Sequence, residues 1–140
     1  MHAERMRSRI PGAVSRGRAR LAGQRLVFNK RGRDGSAKAN LVADPDGAVW
    51  GVVWEIEPCA LAELDPHEAG YRRVPALAEA DDGARLEVEV YVSTRWTSDP
   101  LPFDWYLEHV LRGARGHGLP EEYVSWLEAH PRRSSPGDPG

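Results

Sequence analysis

The stretch AVWGVVWEI, residues 48–56, decides the fold of this chain. Its apolar side chains occupy both faces of an extended segment, with Trp50, Val52, Trp54 and Ile56 on one side and Val49, Gly51 and Val53 on the other. A strand that is apolar on both faces must be covered on both, so we predict that it lies in the centre of a sheet. Gly51 in its middle predicts a bulge, or a close approach by another backbone or a ligand.

Helices and further strands are predicted after this strand. The run PCALAELD (58–65) follows at once and indicates a short helix with Pro58 in its first turn. Two extended runs meet at Asp81-Asp82-Gly83, which is a strong hairpin signal. Helical spacing dominates residues 103–118 and 119–130, and the apolar positions predicted to be buried in the second of these helices are Tyr123, Trp126 and Leu127.

The first forty residues are predicted to contain one helix, one strand and one loop. Residues 3–9 indicate a short helix that Pro11-Gly12 ends. The run RLVFN (25–29) is rich in strand formers. The run KRGRDGSAKAN (30–40) is rich in glycine, serine and charge, so it predicts a loop.

The length of 140 residues predicts one domain over residues 1–131, followed by a disordered Pro/Gly/Ser-rich tail over 132–140. No apolar run is long enough for a membrane span and no leader is visible, so we expect a soluble, cytoplasmic protein. The single cysteine, Cys59, cannot form a disulfide within the chain and is expected to be a small buried hydrophobe.

Opposite charges are separated along the chain. Residues 1–40 contain eleven Lys/Arg and two acids, which leaves eight basic and nineteen acidic residues in the remainder of the 19 and 21 present. Binders of single-stranded nucleic acid usually interleave basic side chains with aromatic ones, yet no aromatic residue precedes Phe28. We therefore expect a solvated surface on which the basic first segment and the acidic remainder offset each other's charge. Nucleic-acid binding is kept as a competing function.

No motif of nucleophile, metal or phosphate chemistry is present. The five histidines are scattered without metal-ligand spacing, so neither a metal nor a cofactor is predicted. RGRDGS (31–36) could form an anion-binding loop, but a plain loop is preferred because no helix follows it. Glu68, in LDPHEAGYRR (64–73), is from its spacing alone a surface carboxylate, because a general base needs a desolvated pocket.

Taken together, several segments resemble the γ-glutamylcyclotransferases. The resemblance runs from about residue 4 to about residue 130 and is strongest in VWGVVWEI (49–56), in the LD-x-x-E run that ends at Glu68, and in Y-x₁₁-HGLPEEY from Tyr106 to Tyr123. It implies an α+β (mixed α/β) fold with a small, bent, barrel-like sheet flanked by helices. It also implies cyclisation of a γ-glutamyl amine or amino acid to 5-oxoproline, with a small-molecule γ-glutamyl substrate and no cofactor.

The same resemblance implies roles for four residues. Glu68 matches the residue that acts as general acid and base in the family. Tyr106 resembles the tyrosine on a helix that contacts substrate, although its stripe with Leu107 and Val110 also suits a core aromatic. Tyr71 and Tyr91 are weaker substrate-binding candidates, and family members have a longer loop with glycine where this chain has EAGY (68–71).

One family feature is absent from the printed sequence. Family members begin with a strand that ends in a Tyr-Gly-Ser-Asn loop, which holds the substrate's α-carboxylate, whereas here Met1 aligns with the stretch after that loop. We expect a truncation or a start codon assigned too far downstream, rather than a true loss. The strand edge left open would favour a homodimer. The alternatives are a non-catalytic binding module and a cyclotransferase for a γ-glutamylated pathway intermediate or polyamine.

Overall fold

The computed structural model describes residues 3–68 and 70–135, and for residues 3–5, 67 and 68 the backbone only. The elements in chain order are α1 (Ala3–Arg9), β1 (Val14–Arg31), β2 (Ala37–Glu55), α2 (Pro58–Leu64), a 3₁₀ turn (Asp65–Glu68), β3 (Arg72–Ala80), β4 (Arg85–Val92), α3 (Asp104–Gly116) and α4 (Glu121–Glu128). The predicted short helices, the hairpin of β3 and β4, and the two C-terminal helices are therefore confirmed. The fold is mixed α+β, as predicted.

β1 and β2 form one long antiparallel hairpin that extends much further than the sequence suggested. The predicted loop over 30–40 is wrong at both ends, because only residues 32–36 lie outside the strands. The run SRGRARLAG (15–23) looks polar, yet its alternate residues Ala19 and Leu21 are buried. The pairing register shifts at Gly17 and Gly23, which have φ angles of 90° and 81°. These bulges bend β1 and strengthen its twist.

The four described strands are antiparallel in the order β2-β1-β3-β4, so β2 lies at one end of this sheet and the prediction of a central position is wrong. β1 pairs with β3 only around Ala19 and Arg20, and β2 also contacts β4. The sheet therefore curves back on itself. The curvature explains why β2 is apolar on both faces: Val49 and Val53 face the inside of the sheet, while Trp54 packs against α1 and α2.

Gly51 does not mark a bulge, because it pairs in register with Ala19. A β-carbon built at Gly51 would meet no atom within 4 Å, so no other backbone approaches it either. Of the explanations predicted for Gly51, the bulge and the close approach of another backbone are therefore wrong. The irregularities lie in the partner strand, at Gly17, at Gly23 and between Phe28 and Lys30.

Among the described residues, two hydrophobic clusters hold helices to the sheet, and a third lies within the sheet itself. α3 and α4 pack on the turn end of the β1–β2 hairpin, through Phe28, Ala37, Leu107, Leu111, Ala114 and Leu127. α1 packs near α2 through Met6, Ile10, Ala13 and Leu64. The concave face of the sheet is filled around Ala19, Leu21 and Ala78. The helices therefore cover the sheet at its two ends.

Two burial predictions are wrong. Cys59 is exposed because α2 is a single short helix whose buried side chain is Leu64. Trp126 is 46% exposed, since α4 buries Leu127 and leaves Trp126 stacked on Tyr123 at 5.6 Å between ring centroids. An eight-residue helix buries only a narrow stripe, and one apolar side chain beside that stripe stays in solvent.

The chain after α4 returns to the start of α3. Arg133 donates its N–H to the Pro102 carbonyl at 3.0 Å, and its carbonyl accepts from the N–H of Asp104 at 3.0 Å. The predicted tail disorder therefore does not describe Arg133, and residues 136–140 lie outside the described residues. No helix within 3–68 and 70–135 is both long and apolar enough to span a membrane.

Candidate active site

A cavity of about 750 Å³ lies between the β1–β2 hairpin, the segment around the 3₁₀ turn, and α3 with α4. One wall is aromatic and comes mainly from the helices and from β4, with Tyr71, Tyr91, Trp105, Tyr106, His109 and Tyr123. Apolar side chains of α3, such as Val110 and Ala114, form the floor together with Leu26 and Leu127. The charged lining residues near the hairpin turn are Lys30, Arg33, Asp34 and Lys38.

The three tyrosines predicted to bind substrate all line this cavity. Two of them are fixed by the backbone of Ala39: its N–H donates to the Tyr106 hydroxyl at 3.0 Å, and its carbonyl accepts from the Tyr71 hydroxyl at 2.6 Å. Tyr91 donates to Asp65 Oδ1 at 2.7 Å. Tyr106 also packs on the α3–α4 cluster, so it has both the core position and the cavity position that the sequence left open.

The backbone of Glu68 ends the 3₁₀ turn beside this cavity. α2 stops at Leu64 and continues directly into the tighter 3₁₀ turn, in which Asp65 still has helical φ and ψ angles of −53° and −42°. Pro66 and Tyr71 line the cavity on either side of Glu68 in sequence. The Glu68 side chain itself lies outside the described residues, so its role stays a prediction. The nearby carboxylate of Asp65 is already engaged, by Tyr91 and by Arg73 Nε at 2.9 Å.

Two lysines of the cavity were missed by the sequence interpretation. Lys30 is only 8% exposed, and its Nζ lies 5.0 Å from the centroid of the Tyr71 ring. Lys38 Nζ lies 4.6 Å from the Trp105 ring centroid and 4.5 Å from that of Tyr106. Strand period could have found Lys30, because it continues the alternate positions of Leu26 and Phe28. Its assignment to a loop hid that signal.

Asp34 at the hairpin turn positions Lys38. Its carboxylate accepts from Lys38 Nζ at 3.2 Å and from the Ser36 hydroxyl at 2.6 Å. Partial burial would raise the pKa of Asp34, but the hydrogen bonds from Ser36 and the charge of Lys38 more than offset this, so the pKa lies below its ordinary value. Asp34 is therefore ionised at neutral pH and holds Lys38 in the cavity lining.

Tyr123 contributes a buried hydroxyl to the cavity wall. Burial raises the pKa of Tyr123 to about 12, and the backbone of Trp50 offsets only part of that rise. The contact with Trp50 falls short of hydrogen-bond geometry, so the hydroxyl has no hydrogen-bond partner among the described residues. A bound ligand could accept the hydrogen bond that the Tyr123 hydroxyl does not make.

The charge of the cavity favours an anionic ligand. Its described lining side chains include four cations, Arg9, Lys30, Arg33 and Lys38, against the single acid Asp34. No group of three or more His, Cys, Asp or Glu among the described residues is arranged to hold a metal ion. The described side chains of the lining therefore offer more positive than negative charge to a small polar ligand.

Known proteins share this sequence and fold. The model of the AIG2-like family matches residues 48–127. The chain is 31% identical over 135 residues to a γ-glutamylcyclotransferase of Bos taurus, in a match that covers 90% of this chain and 71% of the bovine protein. The corresponding protein of Homo sapiens is 30% identical with the same coverage.

A solved structure titled γ-glutamyl cyclotransferase superposes with a TM-score of 0.90 at 26% identity, over 97% of this chain and 85% of that one. The match to the AIG2-like family model includes the second part of β2, the 3₁₀ turn, α3 and all but the last residue of α4. The chain therefore belongs to the AIG2-like, γ-glutamylcyclotransferase-like family of enzymes.

Proposed function

We propose that this enzyme cyclises the γ-glutamyl group of a γ-glutamyl amine or amino acid to 5-oxoproline and releases the amine. The observation that carries the proposal is one cavity that gathers Tyr71, Tyr91 and Tyr106 beside the Glu68 segment, with four cationic side chains against one acidic side chain in its described lining. Relatives that share about 30% of the sequence are named for this reaction. A volume of about 750 Å³ is within the usual range for a small-molecule site.

The reaction needs no nucleophile from the protein. The substrate's own α-amine attacks its γ-carbonyl carbon, the new C–N bond closes a five-membered ring, and the C–N bond to the leaving amine breaks. Because both reacting groups belong to one molecule, the protein mainly has to hold the folded conformer. The α-ammonium loses one proton before attack and a second as the lactam N–H forms, and the leaving amine gains both and departs as an ammonium. A single carboxylate can carry each proton in turn, and we assign this role to Glu68.

The described side chains support binding rather than proton transfer. Lys30 and Lys38 supply positive charge that would attract a substrate carboxylate into the cavity. Tyr106 and Tyr71 are held rigidly by Ala39, so their rings form fixed walls against which the glutamyl chain can fold. A cytoplasmic location and a homodimer remain predictions from the sequence.

Assaying γ-glutamyl dipeptides for 5-oxoproline and free amino acid tests the proposal. We expect the two products in equal amounts, and no reaction of the same dipeptides with an acetylated α-amine, because acetylation removes the nucleophile. Formation of glutamate instead of 5-oxoproline would show hydrolysis and overturn the proposal. The assay includes the 140-residue chain and a form with any in-frame upstream residues restored, so that the predicted missing loop is tested separately.

A further inference from the structure

A second cavity of about 530 Å³ shares lining residues with the first one. It is lined by Lys30, Arg31, Gly32, Arg33, Gly70, Thr94, Arg95 and Trp96. Lys30, Gly32 and Arg33 line both cavities, so the two spaces share part of their walls. A ligand long enough to pass these shared residues would reach from the first cavity into the second.

The outer wall of this second cavity is held firmly to the end of β1. Arg31 donates its N–H to the Arg95 carbonyl at 2.8 Å, and Thr97 donates its N–H to the Asn29 carbonyl at 2.7 Å. Trp96 is 58% exposed, yet its indole N–H donates to the Ser93 carbonyl at 2.8 Å. The ring of Trp96 is therefore fixed in orientation while much of it remains open to solvent.

Every charged residue in the described lining of the second cavity is cationic. Four of its eight residues are Lys30, Arg31, Arg33 and Arg95, and no lining side chain that the structure describes is acidic. Within residues 3–68 and 70–135, neither Arg31 nor Arg33 nor Arg95 is within ion-pair distance of a carboxylate, although Arg16, Arg18 and Arg73 are. Like charges at one site repel each other, and an anionic ligand removes that repulsion.

Lys30 lines both cavities, and its side chain fits there because residue 70 is a glycine. A β-carbon at Gly70 would lie 2.9 Å from Lys30 Cε and 3.0 Å from Nζ. Gly70 has a φ of +86°, and its lack of a β-carbon leaves room for the lysine. The Lys30 side chain therefore packs closely on Gly70, with its ammonium group 5.0 Å from the centroid of the Tyr71 ring.

We propose that the second cavity binds the leaving group of the substrate and selects leaving groups that carry carboxylates. The inference rests on the proposed function and names its substrate class: γ-glutamyl conjugates of acidic amino acids are preferred over those of neutral amino acids, and both over those of simple amines. Arg31 and Arg95 are the specificity residues, because they line the second cavity and not the first.

Three substrates test this preference, because their leaving groups carry no, one or two carboxylates: γ-glutamyl-butylamine, γ-glutamyl-glutamine and γ-glutamyl-glutamate. We expect kcat/KM to rise along this series, by about five- to tenfold from glutamine to glutamate at low salt. The Arg31→Gln/Arg95→Gln double variant should reduce that last ratio to about one while still turning over γ-glutamyl-butylamine. High salt should reduce the ratio in the unmodified protein as well, because the charges are solvent-accessible.

The control is Arg20→Gln/Arg85→Gln, which removes the same charge from exposed positions that line neither cavity. It should keep the preference for glutamate. Equal turnover of all three substrates, or a preference that survives in the Arg31/Arg95 variant, overturns the assignment of the second cavity and leaves the proposed function intact. Absence of 5-oxoproline from every substrate overturns the proposed function, and the leaving-group assignment falls with it.

Discussion

The four tyrosine hydroxyls of the cavity differ in whether the protein itself supplies a hydrogen-bond partner. The hydroxyls of Tyr71, Tyr91 and Tyr106 all have protein hydrogen bonds. The hydroxyl of Tyr123 has none among the described residues, although it is buried. A buried hydroxyl without a partner costs about 1–3 kcal/mol of stability, which a ligand that bonds to it would restore. The Tyr123 hydroxyl should therefore lower the stability of the ligand-free protein and strengthen the binding of a ligand.

Tyr123→Phe should stabilise the ligand-free protein by about 1 kcal/mol, because it removes the unpaired hydroxyl and keeps the ring. The same change should raise KM if the hydroxyl bonds to substrate. Because the pKa of Tyr123 is raised to about 12, the wild-type protein should also lose stability as pH rises from about 10 through 12, and the variant should not lose that share. Chemical denaturation at pH 7 and pH 11 measures both effects, and a variant less stable than wild type at pH 7 would contradict them.

The elements of this fold differ in how much of them a single sequence reveals. α1 and α2 were predicted nearly to the residue, because proline and glycine mark their ends. The first half of β1 was missed, because its arginines alternate with small residues and bulges break the pattern at Gly17 and Gly23. Lys30 was missed for a related reason, since the hairpin runs on through a segment that is polar and rich in glycine. Tyr71, Tyr91 and Tyr106 came from family resemblance, which carries three-dimensional information that local patterns lack.

The connection between the 3₁₀ turn and β3 should depend on glycine at position 70. Gly70→Ala forces a side chain into a left-handed conformation and against Lys30, so we expect a loss of about 1–3 kcal/mol in the free energy of unfolding. Gly12→Ala is the matched control, because a β-carbon there would meet nothing within 4 Å and its φ is not positive. Thermal and chemical unfolding of both variants measure the difference, and equal stability of the two would show that residue 70 is not strained.

At the scale of the whole molecule, a buried polar network closes the curved sheet. The side chain of Asn40, on β2, accepts from the Ser93 N–H at 2.9 Å and donates to the Ser93 carbonyl at 2.9 Å. It also donates to Asn29 Oδ1 at 2.9 Å. Asn40 is 2% exposed, so these bonds form away from water. Ser93 follows β4, and Asn40 therefore ties the two ends of the sheet together beside both cavities.

Asn40→Ala leaves the Ser93 N–H buried without its partner, and we expect it to cost about 2–4 kcal/mol in the free energy of unfolding. Asn29→Ala is the control, because it removes only the bond between the two asparagine side chains and should cost about 1 kcal/mol. Denaturant titrations compare the two variants. Equal losses would mean that the contact between Asn40 and Ser93 does not stabilise the closed sheet.

In the whole molecule, aromatic side chains, cations and the Glu68 segment surround one cavity. The proposed cyclisation requires one proton carrier in that cavity. Measuring kcat for 5-oxoproline formation in Glu68→Gln, against Glu63→Gln on the exposed side of α2, tests that requirement. We predict a fall of about 10²–10⁴-fold for Glu68→Gln, with substrate binding retained, and little change for Glu63→Gln. Turnover of Glu68→Gln near the wild-type value would contradict the assignment of Glu68 as the general acid and base.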